Sequence, residues 1–481
     1  MRTISCAHLI EAADRPVASA RRIDIDGSTV QAVGPAAPDR VEPLFVMPAL
    51  VNAHDHGRPV RSSSVGAGGK PLEAWIQHTA LYGSVDPYAA AVVAFSRAAL
   101  GGAGAVMCHY TRPQGFTDLP TEAAAVARAA RDIGVRAGFA VAFGDRNPLV
   151  YGPTEPFLAT LPEPARRAIA QRLPKSVPTP DQALALTDAV AAAAGGPMFD
   201  VQYGPRGPQW CSDAMLGAIA EASARTGRRI HMHLLESRYQ RVWADGAHPE
   251  GIVKHLDSLG LLSARLTLAH CVWARPGELE LLAERGVTIS VNTSSNLNLR
   301  SGIAPLAAML KAGCRVAFGI DGNALEEDDD ALRELRLGHV LHAGTGFTVA
   351  VSREQVLQIA FANGRKSVTN VDDGGAIRPG TPADLLLLDY AAIDDDRLRD
   401  DLDPLELVLK RATARHIREL IVGGRSVVKD GVVLGADFPA ANAEVLAQMR
   451  AGAKDKAELA AALPALERAL GAHYEPDSVC S

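Results

Sequence analysis

The sequence predicts an α/β protein built on a closed (β/α)8 TIM-like barrel, and three observations carry that prediction. Near-continuous apolar runs (GAVMCHY, RAGFAVAF, RIHMHLL, LTLAHCV, VTISVN and RVAFGID) recur from Val46 onward. Ala- and Leu-rich stretches of helical spacing, such as SDAMLGAIAEASARTG and GELELLAERG, lie between them. Strands apolar on both sides and alternating with helices indicate a parallel sheet covered on both faces. At least seven such units in about 320 residues favour closure into a barrel over an open sheet.

The elements follow in order. Residues 1–48 hold short alternating segments such as RRIDIDGSTVQAVG, with Asp26-Gly27 as a turn signal, and read as the first part of a small β unit. Residues 49–373 form the barrel. Within it, eight of the thirty prolines fall between Pro148 and Pro180, which no strand and no continuous helix tolerates. This is a long insertion after the third strand, either a cover over the site or a passive excursion. Residues 374–435 return to short strands. RELIVGGRSVVKDGVV, with Gly-Gly and Asp-Gly turns, has a hairpin pattern. These strands are expected to join the N-terminal ones in one discontinuous β unit. Residues 436–481 form a helical tail that packs on the barrel or serves a dimer. There are no internal repeats.

Composition excludes several classes. A net charge of -6 with no basic block argues against nucleic acid as a partner. No apolar run approaches the ~18–20 residues that span a bilayer, so no membrane association is expected. The first residues lack an apolar signal core, and the six cysteines (Cys6, Cys108, Cys211, Cys271, Cys314 and Cys480) form no CxxC pair. Free, mostly buried thiols and a cytoplasmic location follow as expectations. No GxGxxG follows an early strand, which disfavours a dinucleotide enzyme.

Four motifs carry chemistry. VNAHDHG places His54 and His56 two residues apart on one face of a strand end. HxH by itself describes a polar patch as readily as a metal site. RIHMHLLES supplies His231, His233 and Glu236; LTLAHCVW supplies His270; RVAFGIDGN supplies Asp321 before a glycine turn. A lone strand-end His is usually structural, and Asp-Gly usually a turn. Together, four strands deliver His or Asp at their carboxyl ends, where barrel enzymes build their sites.

The ordered set HxH, HxxE, H and D resembles the amidohydrolase superfamily, in particular its cytosine, guanine and S-adenosylhomocysteine deaminases and triazine hydrolases. VMPALVNAHDHG, SSNLNLRSGIAPLAAMLKAGCRVAFGIDG and GGAIRPGTPADLLLLD extend the similarity over roughly residues 46–430. The resemblance implies a β-sandwich built from both chain ends beside the barrel. It implies one divalent metal, zinc first and iron as the alternative, held by His54, His56, His233 and Asp321. It makes Asp321 the acceptor of the proton from the metal-bound water, Glu236 the proton shuttle, and His270 the group that polarises the attacking hydroxide. His231 then lies one layer deeper in the barrel interior. PMFDVQYGPRG has no Lys to bridge a second metal, which favours a mononuclear centre.

The implied activity is hydrolysis of a non-peptide C–N bond, the deamination of a small nitrogen heterocycle. The metal lowers the pKa of its water from ~15.7 towards ~7, and a carboxylic acid at Glu236 protonates the departing nitrogen. Dechlorination or cyclic-amide hydrolysis on the same scaffold is the alternative, and a non-catalytic ligand-binding relative is the alternative of another class. The partner is a small heterocycle, with a homo-oligomer expected. For the substrate, Arg206 stands in YGPRGPQW where the family often has a histidine after Gly-Pro. It reads either as a contact to an acidic or carbonyl-rich substrate or as a salt bridge. Trp210 is a stacking ring or core, and His109 a substrate contact or a satisfied core histidine. Arg58, Arg61 and Arg112 are expected near the pocket. The run Glu326–Asp330 reads as a solvated helix start.

Overall fold

A computed structural model of the chain describes residues 1–322 and 325–476; Cys480 lies outside them. The chain opens with β1 (Arg2–Leu9), β2 (Ala18–Asp26), β3 (Thr29–Pro35) and β4 (Glu42–Pro48). The barrel strands follow: β5 (Leu50–Asn52), β6 (Ala103–Tyr110), β7 (Arg136–Phe143), β8 (Phe199–Pro205), β9 (Ile230–Leu234), β10 (Leu266–His270), β11 (Thr288–Val291) and β12 (Arg315–Phe318). The last strands are β13 (Leu385–Asp389), β14 (Ile417–Val422), β15 (Arg425–Lys429) and β16 (Val432–Val433).

β5 to β12 form one parallel sheet in sequence order. The first and last strands meet through Ala53 N–H donating to Phe318 O at 2.8 Å, and Asp321 N–H donating to His54 O at 2.8 Å. The ring therefore joins at the residues that carry the first and last motifs. β6 is buried along its whole length, as a strand covered on both faces must be.

The chain ends supply the second sheet, in the order β16-β15-β14-β13-β4-β1-β2-β3. It is one continuous hydrogen-bonded sheet. Ile4, Ile23, Val30 and Val46 from its first part share an apolar core with Leu385, Leu387 and Ile421 from its second. The β14–β15 hairpin turns through Gly423 and Gly424 at φ 55° and 74°, the left-handed pair that a two-residue hairpin needs. Asp384 ties this sheet to the barrel. Its carboxylate accepts from Arg136 on β7, from Arg365 and from Gly423 N–H, and its carbonyl accepts from Ala49 N–H at the start of β5.

The proline-rich insertion leaves β7 and breaks into short helices, Thr154–Leu158 and Glu163–Ala170, the second with a proline in its first turn, where no donor is lost. The tail forms the helices Phe438–Gly452 and Ala457–Tyr474. The first packs on the helix Pro87–Leu100 and the second on the insertion. Leu459, Leu463, Leu466 and Leu470 bury against Leu158 and Ile169. Cys6, Cys108, Cys211, Cys271 and Cys314 are free and buried. Among the described residues no helix is long and apolar enough to cross a membrane.

Candidate metal centre and active site

The motif residues converge at the carboxyl end of the barrel. The ligand atoms of His54, His56 and Asp321 lie within 4.8 Å of one another, as do those of His54, His233 and His270, and those of Glu236, His270 and Asp321. The backbone is unusual at these points. His270, Cys271 and Asp321 have φ of 78°, 48° and 62°, and Leu235 has 49°. Such left-handed conformations in non-glycine residues persist where surrounding contacts over-determine them, and they collect at functional sites.

Each imidazole is oriented by its outer nitrogen. His56 Nδ1 lies 2.8 Å from His109 O and 3.0 Å from Thr111 Oγ1. His233 Nδ1 lies 2.6 Å from Arg206 O. A carbonyl only accepts, so both Nδ1 atoms carry the proton and both Nε2 atoms present lone pairs. Those two Nε2 atoms face each other at 3.3 Å. Two lone pairs at that separation repel unless a cation lies between them. His54 Nδ1 is held 2.7 Å from His231 Nε2, leaving His54 Nε2 without a hydrogen-bond partner. Asp321 Oδ1, 3.0 Å from His56 Nε2 and 3.4 Å from His54 Nε2, also forms no hydrogen bond. In folded proteins most buried polar atoms find a hydrogen-bond partner. Three imidazole nitrogens and one carboxylate oxygen, each fixed by an outer partner, match the donor set of a divalent metal with an open position.

The electrostatics agree. Burial drives the His54 imidazole down to about 3 and those of His231 and His233 well below their ordinary value, so all stay neutral at physiological pH. Burial alone would raise Asp321, but the close approach of His54 and His56 outweighs it and holds the carboxyl ionised. Ser295 Oγ donates to its Oδ2 at 2.6 Å. Glu236 goes the other way. Burial, then the charges of Asp321 and Glu73, push it well above the carboxylate range, so it keeps its proton. Its Oε2 lies 3.5 Å from His270 Nε2, and Oε1 is unpartnered. His270 Nδ1 sits between Asn296 Oδ1 at 2.9 Å and Asn292 Nδ2 at 3.2 Å, and its Nε2 faces Glu236.

A cavity of about 620 Å3 opens over this cluster, lined by His56, Arg58, Arg206, Trp210, His233, Glu236, His270 and Asp321 among others. Arg58 donates to Asp321 O at 2.6 Å and lies over the Trp75 ring at 4.5 Å, so it buttresses the site as well as lining it. Arg206 is surrounded by protein, which lowers its pKa, yet its side chain is accessible because it stands on the cavity wall. Its side-chain hydrogen bond is to Thr111 O at 3.4 Å. Among the described residues no carboxylate lies within 4.0 Å of it, so the salt-bridge reading falls away. Trp210 lines the cavity edge-on to Tyr151 at 5.8 Å. Arg112 reaches the cavity, held by Tyr82 O.

Three expectations change. His109 does not reach the cavity. It is fully buried, stacked on His233 at 4.8 Å, with Nε2 3.0 Å from Gly204 O. Its strand position directs it into the barrel interior beneath the ligand ring. Arg61 turns outward and donates to Glu327 O. The acidic run is only half solvated: Asp329 and Asp330 are buried, and Asp330 caps the helix Ala331–His342 through Leu332 and Arg333 N–H.

Other residues went unread in the sequence. Asp55, between the two histidines, accepts from Asn52 Nδ2 and from the N–H groups of His56, Gly57 and Gly322, which stitches the first motif to the last. Gly57 (φ 63°) has no room for a side chain, because a Cβ there would lie 2.8 Å from Cys108 Sγ. Ser295 and Asn296 sit in the quoted SSNLNLRSG segment, but their roles need the third dimension. The insertion and tail supply Leu149, Tyr151, Arg172 and Tyr474 to the cavity wall, so the insertion is part of the site.

The profile of the amidohydrolase family matches residues 45–427. Among curated relatives, the chain is 34% identical over 236 residues to a 5'-deoxyadenosine deaminase of Methanosarcina barkeri, covering 49% of this chain and 54% of that one. It is 32% identical over 250 residues to a 5-methylthioadenosine/S-adenosylhomocysteine deaminase of Pelotomaculum thermopropionicum, covering 52% and 56%. The chain thus spans about half the length of the curated relatives it matches. Similar solved structures include an adenosine deaminase from Xanthomonas campestris with bound zinc (TM-score 0.74, 21% identity, 94% of this chain and 98% of that). Another is a mutant of the atrazine chlorohydrolase TrzN from Arthrobacter aurescens with zinc and atraton (TM-score 0.77, 20% identity, 93% and 100%). At these identities the likeness is one of fold.

Proposed function

The chain belongs to the amidohydrolase family, and from that premise we propose that it hydrolytically deaminates an aminated nitrogen heterocycle, with one zinc ion held by His54, His56, His233 and Asp321. The observation that carries the reading is the convergence of partnerless polar atoms on His54, His270 and Asp321 beside a protonated Glu236. The deaminase names of the relatives and the zinc in the similar structures point the same way.

When bound, the divalent ion supplies the Lewis acidity that brings water deprotonation into the neutral range. The chain's own residues do the rest. Asp321 Oδ1 accepts the proton of the attacking water while Ser295 holds Oδ2 in place. His270, held by Asn296, presents Nε2 to the attacking water and orients it. Glu236 gives its proton to the ring nitrogen, regains one from the hydroxyl that the attacking water has become, and passes that one to the departing amine, since amide ion is too basic to leave unprotonated. Arg206 and Trp210 on the wall offer a donor fork and a ring face to the substrate.

The test is ammonia release by zinc-loaded protein over a panel of aminated purines, pyrimidines, pterins and triazines, beside the Glu236→Gln variant. Release that needs both the metal and Glu236 is expected. Chloride release from a chlorinated ring, or a ring-opened acid, without ammonia would replace deamination by the other hydrolytic outcomes.

A further inference from the structure

Glu73 is a buried carboxyl group on the cavity wall whose charge helps Glu236 to keep its proton, and one of its oxygens has no part in that. It lies on the helix Leu72–His78 and is 6% exposed. Its two oxygens are in different situations. Oε1 accepts from Tyr151 Oη at 2.8 Å and from Ser237 Oγ at 2.5 Å. Oε2 is buried and no protein donor reaches it. Among the described residues no Lys, Arg or His nitrogen lies within 4.0 Å of the carboxylate. Burial raises the Glu73 pKa above its ordinary value, opposed by the hydrogen bonds from Ser237 and Tyr151, and a buried carboxyl with a free oxygen and no counter-ion is costly, which fold stability alone does not explain.

Its placement is also fixed. Ser237 is the residue after Glu236. Gln240 Nε2 donates to Tyr151 Oη at 3.4 Å, while Gln240 Oε1 accepts from Glu236 N–H at 2.8 Å. Tyr151 N–H is in turn held by Tyr474 Oη from the tail. Three separate parts of the chain, the loop after β9, the insertion and the tail, therefore lock Glu73 relative to the proton-carrying Glu236. A purely structural tie between these segments needs Oε1 alone, and an amide would serve it equally.

We infer that Glu73 is a specificity-determining residue whose Oε2 accepts a hydrogen bond from a second N–H donor of the heterocycle, separate from the amine that leaves. This rests on the reading of the cavity as a heterocycle site. It narrows the substrate class to rings that carry such a donor, a protonated ring nitrogen or a further amino group. Rings that offer only acceptors on that edge are rejected, because they leave a buried carboxylate facing lone pairs.

The test uses zinc-loaded full chain and Glu73→Gln, with Tyr151→Phe as the second variant. Gln keeps the Oε1 contacts and turns the Oε2 position into a donor. Binding of aminated purines, pterins and triazines, each beside its N-methylated counterpart, is followed by quenching of Trp75 and Trp210 fluorescence, and ammonia is measured separately. Glu73→Gln is expected to weaken the N–H form about ten- to a hundredfold while sparing the N-methylated form, with metal content unchanged. Tyr151→Phe, which loosens the carboxylate without replacing it, is expected to weaken the N–H form less. Equal effects on both forms, no effect on either, or no binding by any N–H ring overturns the inference. Selective loss of N–H binding without any ammonia keeps the Glu73 assignment and removes deamination. Ammonia release with binding indifferent to Glu73→Gln does the reverse.

Discussion

Replacing Asp384 with Asn takes one negative charge out of the joint between the barrel and the sheet unit. The carboxylate pairs with Arg136 Nε at 2.9 Å and with Arg365 Nη1 at 2.5 Å, and accepts from Gly423 N–H at 2.6 Å. Asn retains the volume and the acceptor for Gly423, so the change isolates the charge. Breaking one side of a buried ion pair costs ~3–5 kcal/mol because the partner stays buried and uncompensated. Arg136 is 14% exposed and can hydrate in part, and Arg365 keeps Asp373 at 3.1 Å, so the lower end applies, about 3 kcal/mol. Burial alone would raise the Asp384 carboxyl, but Arg365 and Arg136 outweigh it and hold it below its ordinary value. A depressed pKa contributes stability above the unfolded value and loses it as pH falls through the folded one. The penalty of Asp384→Asn should therefore be the same at pH 5 and pH 8. Urea unfolding followed by fluorescence and circular dichroism measures it, with Asp384→Asn/Arg365→Met closing the cycle. The double variant should cost less than the single one. A single-variant loss below about 1 kcal/mol, an ordinary surface value, would refute the claim that this pair holds the two units together.

Four further outcomes are expected. His231→Phe removes the partner of His54 Nδ1 and should weaken zinc binding about 10–100-fold in a competition with a chromophoric chelator. Stripping the metal should abolish turnover and lower the thermal midpoint, both restored by added zinc, because a ligand that binds only the folded chain stabilises it. Arg206→Ala should raise KM for the substrate found by the ammonia panel; unchanged affinity would remove Arg206 from substrate recognition. Truncation after Lys456 uncovers Leu158 and Ile169 and deletes Tyr474, so limited proteolysis should cut near residues 149–173 and KM should rise.

The sequence by itself determined the barrel, because a strand buried on both faces must be apolar along its length and a covering helix must repeat at 3.6 residues. β6, β7, β9, β10, β11 and β12 each fall on a run legible in this way. It also determined which side chains gather at the candidate metal centre, since few side chains can bind a divalent ion and strand ends fix where they point. His54, His56, His233, Glu236, His270 and Asp321 come together where their motifs predict. Tertiary structure decided what depends on direction and distant partners. His109 and His233 both lie near strand ends, and only the closure of the barrel sends one beneath the ligand ring and the other into it. Arg206 could be read as a salt bridge until the fold placed no acid beside it. Asp55, Ser295, Asn296 and Glu73 act through groups up to hundreds of residues away, and no local period encodes such pairings. The proline-rich insertion and the helical tail looked peripheral for the same reason: prolines tell what backbone a segment refuses, and only packing against each other turns the two into a wall of the cavity.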